Sequence, residues 1–104
     1  MTTENNFQQI KNVINDILPM SKVYLFGSRA RMDFKKYSDY DLMVVTHETF
    51  AGREKIKLCS TISKVLARIG IDADVLMNSE EEIKKKKELK GHIVRSIMKE
   101  GVVL

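Results

Sequence analysis

Residues 24–45 carry the strongest constraint on this chain. An apolar run ends at Gly27 and Ser28, ten residues follow, and an Asp-x-Asp pair, Asp39 and Asp41, leads into a second apolar run. Side chains two residues apart on a strand point to the same side, so the two carboxylates can share a hard cation. Glycine allows a phosphate to approach the backbone, and a short helix opening at Ser28 or the next residue would turn free amides toward it. The pattern predicts a site for a metal-bound nucleoside triphosphate.

The hydrophobic pattern elsewhere predicts a small mixed sheet flanked by helices, an α+β fold. Apolar residues at helical spacing indicate two long amphipathic helices, one ending at Pro19 and one ending at Gly70 as a C-cap. Short apolar runs predict buried strands at residues 23–26, 42–45 and 72–77. Because the second helix is long enough to be a crossover between the last two strands, we expect at least one parallel pairing.

The C-terminal third is predicted to hold one further helix. Ser79 followed by Glu82 forms a capping box that opens it. We expect Gly91 to bend this helix and Gly101 to end it, so that residues 102–104 can add a short edge strand.

A third carboxylate is available on the last long strand. Asp72 and Asp74 share one strand face, so the two-residue period alone leaves both open. A third carboxylate matters if the bound triphosphate gives up its nucleotidyl group. That reaction needs an attacking hydroxyl, an α-phosphorus in line with it, and positive charge where pyrophosphate leaves. Carboxylates that hold two Mg²⁺ ions provide most of this.

Two arginines follow the Gly-Ser pair, and a guanidinium is well shaped for a phosphate. Only one of them needs to point inward, and we expect Arg31 to be the surface or salt-bridge residue, which leaves Arg29 for the phosphate. Lys35 and Lys36 lie in the connecting loop, where they could screen phosphate charge or simply be exposed.

These residues together resemble the minimal nucleotidyltransferases of the DNA polymerase beta superfamily, whose signature is Gly-Ser, ten residues and Asp-x-Asp. That family places its third carboxylate directly before the apolar end of a strand, which favours Asp74 over Asp72. The resemblance implies a polymerase-beta-like nucleotidyltransferase fold with three catalytic and metal-binding aspartates: Asp39, Asp41 and Asp74. The residues that bind the triphosphate would be Gly27, Ser28 and Arg29.

The resemblance also implies an activity: magnesium-dependent transfer of AMP from ATP to a hydroxyl of a macromolecule. Many family members act as the antitoxin beside a helical HEPN-type toxin, so we expect such a protein as partner and acceptor, in a homo- or hetero-oligomer. The alternative is a non-catalytic antitoxin or binding subunit that acts on its partner by contact alone.

Composition limits the other possibilities. The 104 residues, 43% of them hydrophobic, suit one domain over residues 1–104. No apolar run approaches the roughly 20 residues of a membrane span, and the N-terminus lacks a signal peptide, so we expect a cytoplasmic protein without membrane contact. Cys59, the single cysteine, excludes an internal disulfide and is expected in the core.

The net charge of +4 comes mostly from lysines late in the chain, which we interpret as a solvated helix face. We do not expect nucleic-acid binding, because no aromatic residues are interleaved with those lysines. His47 and His92 have no ligand neighbours at metal-binding spacing, and Tyr40 is expected to pack against the core.

Overall fold

The computed structural model of the protein describes residues 3–31 and 39–104. In chain order, its elements are α1 (Thr3–Ile17), β1 (Lys22–Phe26), α2 (Gly27–Ala30), β2 (Tyr40–Thr46), α3 (Gly52–Arg68), β3 (Ala73–Ser79), α4 (Glu80–Lys86), α5 (Ile93–Glu100) and β4 (Val102–Val103). None of the helices in these two ranges has both the length and the apolar character needed to cross a membrane.

The described strands form one sheet in the order β3-β2-β1-β4. β1 runs antiparallel to both β2 and β4, whereas β2 and β3 are parallel. The parallel pair is joined through α3, which is the crossover that the sequence predicted. The mixed sheet and the short edge strand are therefore confirmed.

Helices cover both faces of the sheet, and the alternation of β2 divides its side chains between them. Leu42 and Val44 pack on the face beneath α1 and α3, with side chains that include Ile10, Ile14, Ile62 and Leu66. Met43 and Val45 pack on the opposite face against α4 and α5, where Ile83, Val94 and Ile97 lie. Asp41 has the same parity as Met43, so it projects on the α5 face.

The end of α3 confirms the predicted glycine cap. Gly70 has a φ of +84°. Its N–H donates to the carbonyl oxygen of Ala67 at 3.0 Å, and the N–H of Ile71 donates to that of Leu66 at 2.9 Å. This is the paired hydrogen bonding of a Schellman motif.

The prediction of one bent helix after residue 79 was wrong. The chain forms α4 and α5 as separate helices, because Gly91 adopts a φ of +76°, which interrupts a right-handed helix instead of bending it. His92, which the sequence analysis left without a role, then caps α5: its Nδ1 accepts a hydrogen bond from the N–H of Val94 at 3.1 Å.

Two smaller expectations need adjustment. β3 begins at Ala73 and continues to Ser79, two residues beyond the predicted end, because the parallel ladder with β2 persists to Thr46. On α3, Ile56 is 72% exposed although it lies on the predicted apolar stripe, and Cys59 is only partly buried at the edge of the core.

The capping box at the start of α4 leads to a stability prediction. Ser79 is 1% exposed. Its hydroxyl accepts hydrogen bonds from the N–H of Glu82 at 3.1 Å and from the Thr49 hydroxyl at 2.7 Å. We expect Ser79→Ala to lower the free energy of unfolding by about 1–2 kcal/mol, because it removes the cap and the acceptor for the Thr49 hydroxyl. Urea unfolding measures this; the exposed Ser60→Ala is the control, and equal midpoints for the two variants would contradict the prediction.

Candidate active site

The β-ladder places two of the predicted carboxylates side by side. Asp41 pairs with Asp74 in the parallel register of β2 and β3, so both side chains project from the same face of the sheet. On its other side Asp41 pairs with Phe26, the last residue of β1. Asp41 therefore lies between Asp74 and the turn that begins at Gly27.

Gly27 is in close contact with the Asp41 side chain. Its φ is +73°, and a Cβ atom added there would lie 2.2 Å from Oδ2 of Asp41. That separation is far below a van der Waals contact. The absence of a side chain at Gly27 therefore leaves the space that the Asp41 carboxylate occupies. This role is additional to the one expected from the sequence, which is to let a phosphate approach the backbone.

The three aspartates form one electrostatic cluster. Burial raises the pKa of Asp41 above its ordinary value, and the negative charges of Asp74 and Asp39 raise this pKa further. The positive charge of Arg31 acts in the opposite direction. Asp39 and Asp74 are exposed, whereas Asp41 is partly buried. The site therefore concentrates negative charge around one carboxylate that gains from a nearby cation.

The donor set fits a cation that arrives together with a polyphosphate. Within residues 3–31 and 39–104, no three His, Cys, Asp or Glu side chains are close enough to hold a metal ion by themselves. Mg²⁺ in enzymes is usually bound by one or two carboxylates plus waters and substrate phosphates, so a closed protein cage is not required. The carboxylate oxygens of Asp41 and Asp74 are the hard ligands that such a cation prefers.

The structure separates the two candidates for the third carboxylate. Asp74 stands opposite Asp41 in the ladder, whereas Asp72 precedes β3. The part of Asp72 that contacts β2 is its backbone: its carbonyl oxygen accepts a hydrogen bond from the N–H of Tyr40 at 2.9 Å. This arrangement favours Asp74 over Asp72.

The phosphate end of the predicted site lies on α2, which starts at Gly27, one residue earlier than the sequence indicated. Ser28 is partly buried in this first turn. Arg31, expected to be a surface residue, is exposed, and its charge nevertheless reaches Asp41. Lys35 and Lys36 lie outside the residues that the structure describes.

Arg29 contacts the ring of Tyr40, which the sequence did not predict. Its guanidinium carbon lies 4.0 Å from the ring centroid of Tyr40. Tyr40 is buried in the core on the α1 and α3 side, as its predicted packing role requires. Nothing in the local pattern links these two side chains, because their contact depends on how α2 folds back against β2.

A cavity of about 300 Å³ adjoins the site between α2 and α5. Its walls include the apolar side chains of Phe26, Ala30, Ile93 and Ile97. Gly27 and Arg31 contribute to the same cavity, so it is continuous with the turn beside Asp41. The sequence could not locate this cavity, because it depends on the packing of α5.

The fold is that of a nucleotidyltransferase. The polymerase beta nucleotidyltransferase family model matches residues 8–104. The chain belongs to this family, and it is an enzyme of the nucleotidyltransferase class.

Two proteins of Methanocaldococcus jannaschii, both named "putative protein adenylyltransferase", are similar over most of their length. One is 32% identical over 105 residues, covering 96% of this chain and 98% of the relative. The other is 31% identical over 97 residues, covering 91% of each chain. Similarity of this extent spans both strands of the candidate site.

Solved structures share the fold. A Sulfolobus solfataricus protein described as a "putative nucleotidyltransferase" superposes with a TM-score of 0.61 at 22% identity, covering 95% of this chain and 76% of the other. A toxin-antitoxin structure with AMP-PNP gives 0.60 at 19% identity, covering 98% and 72%. A Shewanella oneidensis complex of a tri-AMPylated HEPN toxin with an MNT antitoxin gives 0.57 at 18% identity, covering 98% and 71%. At these identities the likeness establishes the fold.

Proposed function

We propose that this protein is a magnesium-dependent adenylyltransferase that moves AMP from ATP to a hydroxyl of a partner protein of the helical HEPN type, and thereby acts as its antitoxin. The observation that carries the proposal is the position of Asp41, between Asp74 on one neighbouring strand and Gly27 after the other. The names of the M. jannaschii relatives and the AMPylated toxin in the S. oneidensis complex support the choice of a protein acceptor.

The residues on the two sides of Asp41 would have different roles in the reaction. Gly27 and Ser28 would bind the terminal phosphates through backbone amides and the serine hydroxyl. Asp39 and Asp41 would hold the metal that accompanies the nucleotide, and Asp74 would complete a second site and help to take the proton of the acceptor hydroxyl. The acceptor oxygen then attacks the α-phosphorus while pyrophosphate leaves on the Gly27 side. Bound Mg²⁺ supplies the positive charge that stabilises this transfer.

Labelled ATP tests the reaction type. With Mg²⁺ and a co-purified helical partner, we expect label on the α-phosphorus of ATP to appear on the partner protein, whereas label on the γ-phosphorus leaves with pyrophosphate. Chelation of Mg²⁺ should stop the transfer. Incorporation of the γ-label would indicate phosphoryl transfer and contradict the proposal. If the partner is inhibited without either label, the non-catalytic alternative is correct.

Matched variants on one strand test the carboxylate assignment. Asp74→Asn should abolish labelling, because it removes the carboxylate charge opposite Asp41. Asp72→Asn removes an equal charge two residues earlier and should retain the wild-type rate. The reverse result would transfer the role of the third carboxylate to Asp72.

A further inference from the structure

Tyr40, the first residue of β2, lies between Asp39 and Asp41 in the sequence and is held on the opposite face of the sheet by three side chains. It is 4% exposed. Nδ2 of Asn6 donates a hydrogen bond to its hydroxyl at 2.9 Å. Phe7 contacts its ring edge to face, with centroids 6.3 Å apart and an interplanar angle of 83°. The Arg29 guanidinium lies over the ring at 4.0 Å, within the range of a cation–π interaction.

The backbone at this point is supported less completely than the centre of β2, where both β1 and β3 pair with the strand. Pairing with β1 ends at the Phe26–Asp41 pair, so among residues 3–31 and 39–104 Tyr40 has a strand neighbour only on the β3 side. There its N–H donates to the carbonyl oxygen of Asp72 at 2.9 Å. The rotation of this strand end about its own axis therefore depends on the side-chain contacts of Tyr40.

We propose that Tyr40 and Arg29 are positioning residues for nucleotidyl transfer. Successive strand side chains point to opposite faces, so clamping the Tyr40 ring on one face fixes Asp39 and Asp41 on the other. Arg29 lies in α2, two residues after Gly27, and its contact with Tyr40 ties the phosphate-binding turn to the strand that carries the carboxylates. This inference rests on the proposed function.

The inference gives Arg29 a role different from the one its sequence context suggested. A phosphate-binding arginine contributes mainly to nucleotide affinity, so its loss raises KM for ATP. A positioning residue aligns reacting groups, so its loss lowers kcat, and small misplacements at a catalytic centre have large effects. Comparing the change in kcat with the change in KM for ATP therefore distinguishes a positioning role from a phosphate-binding role.

A double-mutant cycle tests the contact. We expect Arg29→Met and Tyr40→Leu each to lower kcat for AMP transfer about tenfold with little change in KM for ATP. The double variant should be no slower than the slower single variant, because residues that act through one contact are not additive. Tyr40→Phe, which keeps the ring, and Arg29→Lys, which keeps the charge, should recover most of the rate.

The control variant is Ile62→Val, which trims a fully buried side chain of the same core on α3 and leaves both side chains of the pair unchanged. It should lower stability without changing kcat. A rise in KM for ATP in Arg29→Met with unchanged kcat, or additive losses in the double variant, would overturn the proposal.

A measurement that does not depend on catalysis distinguishes the positioning role of Tyr40 and Arg29 from the proposed AMP transfer. In the metal-free protein, the carbon-13 chemical shift of the Asp41 carboxyl should move in Tyr40→Leu and Arg29→Met but not in Ile62→Val. If the wild-type protein transfers no AMP and these shifts still move, the reaction is wrong and the positioning contact stands. If the shifts do not move, the contact does not position Asp41.

Discussion

Asp41→Asn is expected to lower AMP transfer by about a thousandfold and to raise the thermal stability of the metal-free protein at neutral pH. The loss of rate follows because a metal-binding carboxylate supports several kcal/mol of charge stabilisation in the transition state, and each 1.36 kcal/mol is about a tenfold change in rate. The gain in stability follows from the electrostatics of the site.

Burial, and then the charges of Asp74 and Asp39, raise the pKa of Asp41 above its ordinary value of 3.8. The folded protein therefore retains the Asp41 proton at pH values where the unfolded chain has released it. As the pH rises through the folded-state pKa, ionisation of Asp41 lowers the free energy of unfolding. Asparagine removes this cost at neutral pH.

The two effects are measured by steady-state transfer assays and by thermal unfolding between neutral pH and pH 4. The stability difference between Asp41→Asn and wild type should shrink as the pH falls, because wild-type Asp41 then becomes protonated. Asp72→Asn is the control for the removal of one exposed aspartate. A variant that is less stable than wild type at neutral pH would show that the Asp41 charge is stabilising in the metal-free fold.

Gly27→Ala is expected to reduce AMP transfer by about a hundredfold and to destabilise the protein. The new Cβ would lie 2.2 Å from Oδ2 of Asp41, so the carboxylate must move. A displacement of about 1 Å at a reacting centre can cost about a hundredfold in rate. The φ of +73° adds backbone strain of about 1–2 kcal/mol for any L side chain.

Gly70→Ala provides a matched control. Gly70 has a similar φ of +84°, but an added Cβ there would meet nothing within 4 Å, and the residue caps α3 without contacting Asp41 through that Cβ. This variant should show the backbone strain alone, with unchanged kcat. Equal transfer rates for Gly27→Ala and Gly70→Ala would mean that the Gly27–Asp41 contact does not control the position of the carboxylate.

Asp41→Asn and Gly27→Ala test two different properties of the Asp41 carboxylate, its charge and the space that it occupies. Asp41 carries a charge that its surroundings disfavour, and Gly27 keeps open the space that holds it there. Proteins accept such a local cost where a function requires it. Loss of the charge should therefore stabilise the fold and abolish transfer, whereas loss of the space should weaken both.

The amino-acid sequence alone determined the elements whose signals are local. The glycine cap at Gly70 and the capping box at Ser79 depend on residues within one helical turn, and both are present. The mixed sheet followed from apolar periodicity and a crossover of sufficient length. The Gly-Ser and Asp-x-Asp spacing identified the candidate site, because both halves lie within fifteen residues of sequence.

Only the tertiary structure decided which side chains meet. The resemblance already favoured Asp74 over Asp72, but the position of Asp74 opposite Asp41 follows only from the register between β2 and β3. The contact of Gly27 with Asp41 likewise required the pairing of β1 with β2. The stacking of Arg29 on Tyr40 required α2 to fold back against the core. Register and packing are set by many side chains acting together over long sequence separations, so a spacing pattern identifies the chemistry of these residues but not their partners.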